Sequence, residues 1–367
     1  MAAGLVSTFA AQAHEGDFTH LHGSTNPATP LKIAVETSGP VKAPAPLKEI
    51  VATSGQGFWK FAAAKELVPT PEETKPFLKG AHGTIIVDGE RDLVYWGLEK
   101  VGWVAFSNQL KQSWVVKGDP KFTSGNIHGA DILPRQGQLP LVIAADNAEG
   151  EVYVSDTGFQ TAQVLGRPGG PYKGKAAFAP TDAAFIDAKN VYVTDGYGSQ
   201  WFMHATTEPF AYDGTFIGGK EFSRTPHGIT KSTHNTLYIS ARPEGIIKEY
   251  DYKKDKWAES LGLPPGSIVC DIDVWDDYAL APCLDGPKGP DGKPAKAPIY
   301  IINLKTKTVV STIRVKDELG YDLADHIHDA AWYVRGKGRN REVYILFTNW
   351  NPGGIGALKL VNVTDAK

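Results

Sequence analysis

Cysteine is nearly absent: two residues, Cys270 and Cys283, in a chain of 367. That excludes a disulfide-dense scaffold, so stability must come from a hydrophobic core. Charge of one sign is also missing. The formal net charge is −3, and the one lysine-rich patch, Lys253, Lys254 and Lys256, is interrupted by Asp255 and reads as a solvated turn. This argues against nucleic acid or an anionic membrane surface as partner. Beyond the first residues no stretch is apolar enough to span a bilayer, and no long run has helical apolar spacing. Turn residues are plentiful, with 25 prolines and 39 glycines, and 42% of residues are hydrophobic. Such a chain can bury a large core, and large all-β folds reach this length as one domain.

Three regions follow from composition. Met1 to Ala13 (MAAGLVSTFAAQA) is apolar and ends in Ala11-Gln12-Ala13, which suits the end of a secretory signal peptide cleaved before His14. It lacks the usual positive charge, so the alternative is a plain apolar terminus. The signal reading places the protein in the periplasm or outside the cell. Residues 14–48 are rich in Pro, Thr, Ser and Ala and read as an extended, poorly packed arm. Within it, His20 and His22 share one face of an extended chain with His14 nearby. They are either a loose metal site or solvated. Residues 49–367 form the main domain.

That domain repeats about every fifty residues, with several short strands per repeat, which is the signature of a β-propeller. The recurring phrases are Ala81-His82-Gly83, Ile127-His128-Gly129, Pro180-Thr181-Asp182, Pro226-His227-Gly228, Val269-Cys270-Asp271 and Ile327-His328-Asp329. Six phrases predict six blades of four antiparallel strands. Their innermost strands should start near residues 82, 128, 181, 227, 270 and 328. Small residues beside the key positions let six strands crowd the axis. Residues 47–52 are expected to close the ring by adding a strand to the last blade.

Equivalent positions in successive blades lie at one height around one axis. The six key residues are His82, His128, Thr181, His227, Cys270 and His328, and four of them are histidine. Imidazoles around an open position are the ligand set of a catalytic transition metal. Asp182, Asp271 and Asp329 each follow a key position. They are second partners of the imidazoles, ligands of a hard cation one layer away, or strand-end aspartates bonded to backbone N–H groups. Cys270 and Cys283 are symmetric about a turn at Asp276-Asp277. They form either a strained disulfide or free thiols, and a free Cys270 would face the channel as ligand or redox group.

The run Ala179-Pro180-Thr181-Asp182-Ala183-Ala184-Phe185, the phrase Thr194-Asp195-Gly196-Tyr197-Gly198, then Tyr212-Asp213-Gly214 and Pro226-His227-Gly228, resembles NHL-repeat propellers. More narrowly, it resembles the catalytic core of peptidyl-α-hydroxyglycine α-amidating lyase, in phase over blades two to six. The resemblance implies an NHL-like six-bladed propeller with a zinc held by His128, His227 and His328. It further implies a Tyr197 acting beside the zinc, an active-site Arg242, and a structural calcium on Asp329 with the carbonyls of Thr84 and Ala130. Two departures are visible. The first blade lacks the family's second active-site arginine, and it supplies His82, a fourth ring histidine.

The expected function is a monomeric, metal-dependent lyase-type enzyme on a polar small molecule. The metal would polarise a substrate oxygen, Tyr197 would serve as acid or base, and Arg242 would hold a carboxylate. Two alternatives stay open. One is a copper or iron oxidoreductase with a four-histidine site. The other is a non-catalytic propeller that binds a ligand or protein at its rim.

Overall fold

Short runs of β-branched and aromatic residues, such as Leu93–Leu98 (LVYWGL) and Pro298–Asn303 (PIYIIN), are buried along almost their whole length. Strands of this kind need a sheet neighbour on each face. The computed structural model describes residues 28–46, 51–174, 176–218, 225–232 and 234–362, and in it that need is met by six small antiparallel sheets arranged around one axis. The innermost strands contact one another in turn, and the last contacts the first. The chain is an all-β, six-bladed propeller.

Blade 1 comprises Ile85–Asp88, Leu93–Leu98, Gly102–Ser107 and Gln112–Val115, and blade 2 Ile127–Leu133, Leu141–Asp146, Glu151–Asp156 and Gln163–Leu165. Blade 3 comprises Asp182–Phe185, Asn190–Thr194, Trp201–Thr207 and Phe210–Gly218. Blade 4 is built on Pro226–Lys231, Thr236–Ala241, Ile246–Asp251 and Leu261–Gly262, and blade 5 on Asp273–Trp275, Tyr278–Pro282, Pro298–Asn303 and Thr308–Arg314. Blade 6 starts with His326–Arg335, Glu342–Asn351 and Gly354–Leu360. Innermost strands therefore begin within three residues of the expected positions.

Two expectations need correction. Residues 47–50 lie outside the described residues, and the ring is closed further along, by Trp59–Ala63. That strand pairs antiparallel with Gly354–Leu360 and carries Thr53–Gln56 outside it. Trp59 and Phe61 are fully buried there, which fixes the strand's inward face. The arm, where described, is extended and largely exposed, and it adds a short strand to each of two blades. Thr29–Pro30 extends blade 4 in parallel with Leu261–Gly262, and Lys32–Ile33 extends blade 5 beside Thr308 and Val309. Blades 4, 5 and 6 thus exceed four strands. The proposed signal segment and His14, His20 and His22 lie outside the described residues. Among the described residues no helix is long and apolar enough to cross a membrane.

Candidate metal centre

The approach of the blades to the axis depends on the glycine or aspartate after each key residue, in the order Gly83, Gly129, Asp182, Gly228, Asp271 and Asp329. A Cβ on Gly129 would lie 2.4 Å from Asp182 Oδ1, and one on Gly228 would lie 2.0 Å from Asp271 Oδ1. These two glycines leave the space that the next blade's carboxylate fills. Histidines and aspartates consequently form two adjoining layers.

In the upper layer four imidazoles meet. Ring centroids of His128, His227 and His328 are 4.6–4.9 Å apart, and His82 lies 5.2 Å from His128 and 5.0 Å from His328. All four side chains are buried. Among the described residues, His82, His128 and His328 are the group whose ligand atoms all fall within 4.8 Å of one another, a set able to hold a metal ion. His128 Nδ1 is 2.7 Å from the Thr181 carbonyl. A carbonyl only accepts, so Nδ1 carries the proton and the Nε2 lone pair points to the axis. There it lies 3.2 Å from His328 Nε2. Burial pushes the His128 pKa down to about 3 and that of His328 well below its ordinary value. Both rings are neutral at physiological pH, the form a metal requires.

Blades 3 and 4 add a second constellation. The Tyr197 hydroxyl lies 3.0 Å from His227 Nε2 and 3.2 Å from His128 Nε2, and it accepts a bond of 2.8 Å from Arg242 Nη1. Arg242 is only 2% exposed, in a one-turn 3₁₀ segment (Arg242–Glu244) right after the second strand of blade 4. Tyr197 follows the second strand of blade 3 in the same way. The structure therefore brings Tyr197 and Arg242 beside the histidines. Thr181 contributes no side-chain ligand; its hydroxyl bonds to the Pro226 carbonyl and stitches blade 3 to blade 4.

The lower layer consists of buried carboxylates that tie blades together. Asp182 accepts from Ile229 N of blade 4 at 2.8 Å and from Ala183 N, and Asp329 accepts from Ile85 N of blade 1 at 2.6 Å. Asp271 accepts from Ile272 N and hydrogen-bonds to Asp329. Burial, followed by mutual repulsion, pushes the pKa of Asp182 and Asp271 well up. Unlike the histidines, these carboxylates form no three-ligand group among the described residues. Of the carbonyls expected beside a calcium, that of Thr84 accepts from Gly97 N, and Ala130 is paired with Ala144 in blade 2. Beyond this layer a cavity of about 550 Å³ opens at the other end of the channel, lined also by Asp131 and Asp273.

The cysteines are free and buried. The turn at Asp276-Asp277 is as expected, with Trp275 opposite Tyr278. The pairing then slips by one residue, so that Val269, not Cys270, is the bridge partner of Cys283. A one-residue slip turns a side chain to the other face. Cys270 packs with Ile268 and Leu284; burial pushes its thiol up to about 12, against the pull of Arg242, to which it hydrogen-bonds.

Sequence reasoning missed four residues near the axis. Trp350 stacks on His82 at 5.9 Å, and His326 lies 5.5 Å from Trp350. Asp131 accepts from Phe185 N of blade 3, and Asp273 from Trp332 N of blade 6. The two aspartates had a signal, since each stands three residues after a key position. No protein-family model matches the chain, and no curated protein matches it significantly.

Proposed function

We propose that the chain is a metal-dependent enzyme, with zinc as the metal, that carries out a lyase-type reaction on a small polar molecule bearing a carboxylate. The observation carrying this reading is the convergence of His82, His128 and His328 beside a tyrosine–arginine pair. The donor set suits a transition metal: buried neutral imidazoles, two of them with Nε2 atoms 3.2 Å apart. A zinc bound there would polarise a substrate oxygen or lower the pKa of a bound water or alcohol. Tyr197 stands at the edge of that site and is the group able to take or give a proton. Arg242 donates to it, which favours the phenolate, and presents a guanidinium to substrate anions. The resemblance to the amidating lyase supports the reaction class. The missing first-blade arginine argues for a different substrate.

A second reading, a copper or iron oxidoreductase, draws on the fourth imidazole in the ring. Metal analysis of protein purified without added metal decides between them. About one zinc per chain supports the lyase, copper or iron supports the oxidoreductase, and no transition metal leaves a binding propeller.

A further inference from the structure

We propose that His227 is a positioning residue for Tyr197 and stands outside the metal's ligand set, which is His82, His128 and His328. This rests on the reading of the site as a metal centre, and it departs from the ligand set that the resemblance implies.

His227 Nδ1 lies 2.8 Å from the Cys270 carbonyl, so that nitrogen carries the proton and Nε2 bears the lone pair. The same carbonyl also accepts from Ser240 Oγ at 2.7 Å, while Ser240 Oγ accepts from Gly228 N at 2.7 Å. The ring is thus held from behind by two blades. Its Nε2 faces the Tyr197 hydroxyl at 3.0 Å. That hydroxyl has one proton to donate, because its contact with Arg242 can only be accepted. Two ring nitrogens stand within reach of the proton, His227 Nε2 at 3.0 Å and His128 Nε2 at 3.2 Å. Once the His128 lone pair is given to a metal it can accept nothing. The tyrosine proton then has His227 as its acceptor, and the direction of the phenol O–H is set. His82 explains how the ring can spare this histidine: blade 1 supplies the third ligand in its place.

The experiment uses the full chain, stripped of metal, with Co²⁺ alone as the probe and its visible absorption as the signal. His82→Ala, His128→Ala and His328→Ala should each weaken Co²⁺ binding beyond the roughly hundredfold ceiling seen for residues that merely support a ligand. His227→Gln and His227→Leu should stay within about tenfold of wild type, the low end of that range. In the chain loaded with diamagnetic Zn²⁺, where His128 no longer competes, 3-fluorotyrosine placed at position 197 reports the phenol by ¹⁹F NMR. The resonance should keep its shift in His227→Gln, whose amide oxygen can accept, and move or broaden in His227→Leu. Loss of Co²⁺ from both His227 variants as complete as from His328→Ala, at an unchanged melting temperature of the metal-free protein, overturns the proposal. So does a ¹⁹F resonance indifferent to His227→Leu. A wild-type chain that takes up no Co²⁺ overturns the metal reading itself, and with it the removal of His128 from the competition for the Tyr197 proton.

Discussion

Histidines buried as neutral rings make the site sensitive to acid. His128 has an unfolded-state pKa near 6.5 and a folded value of about 3, with burial as the main cause. Between those values the unfolded chain binds a proton that the folded chain does not. Stability from this group is therefore fully present above pH ~6.5 and is lost as pH falls towards 3. In metal-free protein, denaturant titrations of wild type and His128→Gln should diverge below pH 6.5. Wild type should lose up to about 1.4 kcal/mol more per pH unit. Parallel curves would show that His128 is already solvated. Which residues lie at the axis was legible in the sequence, because a propeller carries equivalent positions to one height. Which of them point at one another was not. The tautomers of His128 and His227 depend on carbonyls of the neighbouring blades, Thr181 and Cys270, and no spacing within a phrase encodes that.

Between elements, carboxylates act as staples. Asp131 joins blade 2 to 3, Asp182 joins 3 to 4, Asp273 joins 5 to 6 and Asp329 joins 6 to 1, each through a backbone N–H of the next blade. Burial pushes the Asp273 pKa up to about 7. The folded chain then holds a proton that the unfolded chain has released, so this group's contribution falls as pH rises from ~3.8 through 7. Asp273→Asn removes that loss. Its cost relative to wild type should be smaller at pH 8 than at pH 5, read from chemical unfolding at both. The glycines opposite the staples matter equally. Gly228→Ala would place a methyl 2.0 Å from Asp271 Oδ1 and 2.8 Å from its Cα. Backbone must shift, at about 1–3 kcal/mol. Gly166→Ala, with nothing within 4 Å, should stay within about 0.5 kcal/mol in the same thermal melts. The strand pattern was readable because runs of four or more β-branched and aromatic residues between turn residues declare a buried strand. The two-residue strands of the arm declare nothing, and the slip before Cys283 arises from pairing rather than composition.

At the scale of the molecule, a propeller is only as closed as its last blade. Here the seam is N-terminal chain, Thr53–Gln56 and Trp59–Ala63, laid against C-terminal chain. Trp59 is fully buried, with ring contacts to Tyr278 of blade 5 at 4.6 Å and Trp332 of blade 6 at 5.6 Å. Its indole N–H donates to Glu36, whose carboxylate also accepts from Tyr278 and from Asn303 at 2.7 Å. One arm residue thus ties the closing strand to the neighbouring blade. Trp59→Ala should cost about 3–5 kcal/mol, the usual range for a buried aromatic truncated to a cavity. Glu36→Ala leaves the buried indole N–H, the Tyr278 hydroxyl and the Asn303 carboxamide without their acceptor, and should cost about 1–3 kcal/mol. Because Trp59 and Glu36 are hydrogen-bonded to each other, the double variant should cost less than the sum of the two. Within blade 6 the closing strand is the fourth from the axis, whereas His328 stands on the first. Under conditions where the variants remain folded, Co²⁺ affinity should match wild type. A Glu36→Ala protein with unchanged melting temperature would mean that the arm contributes nothing to closure.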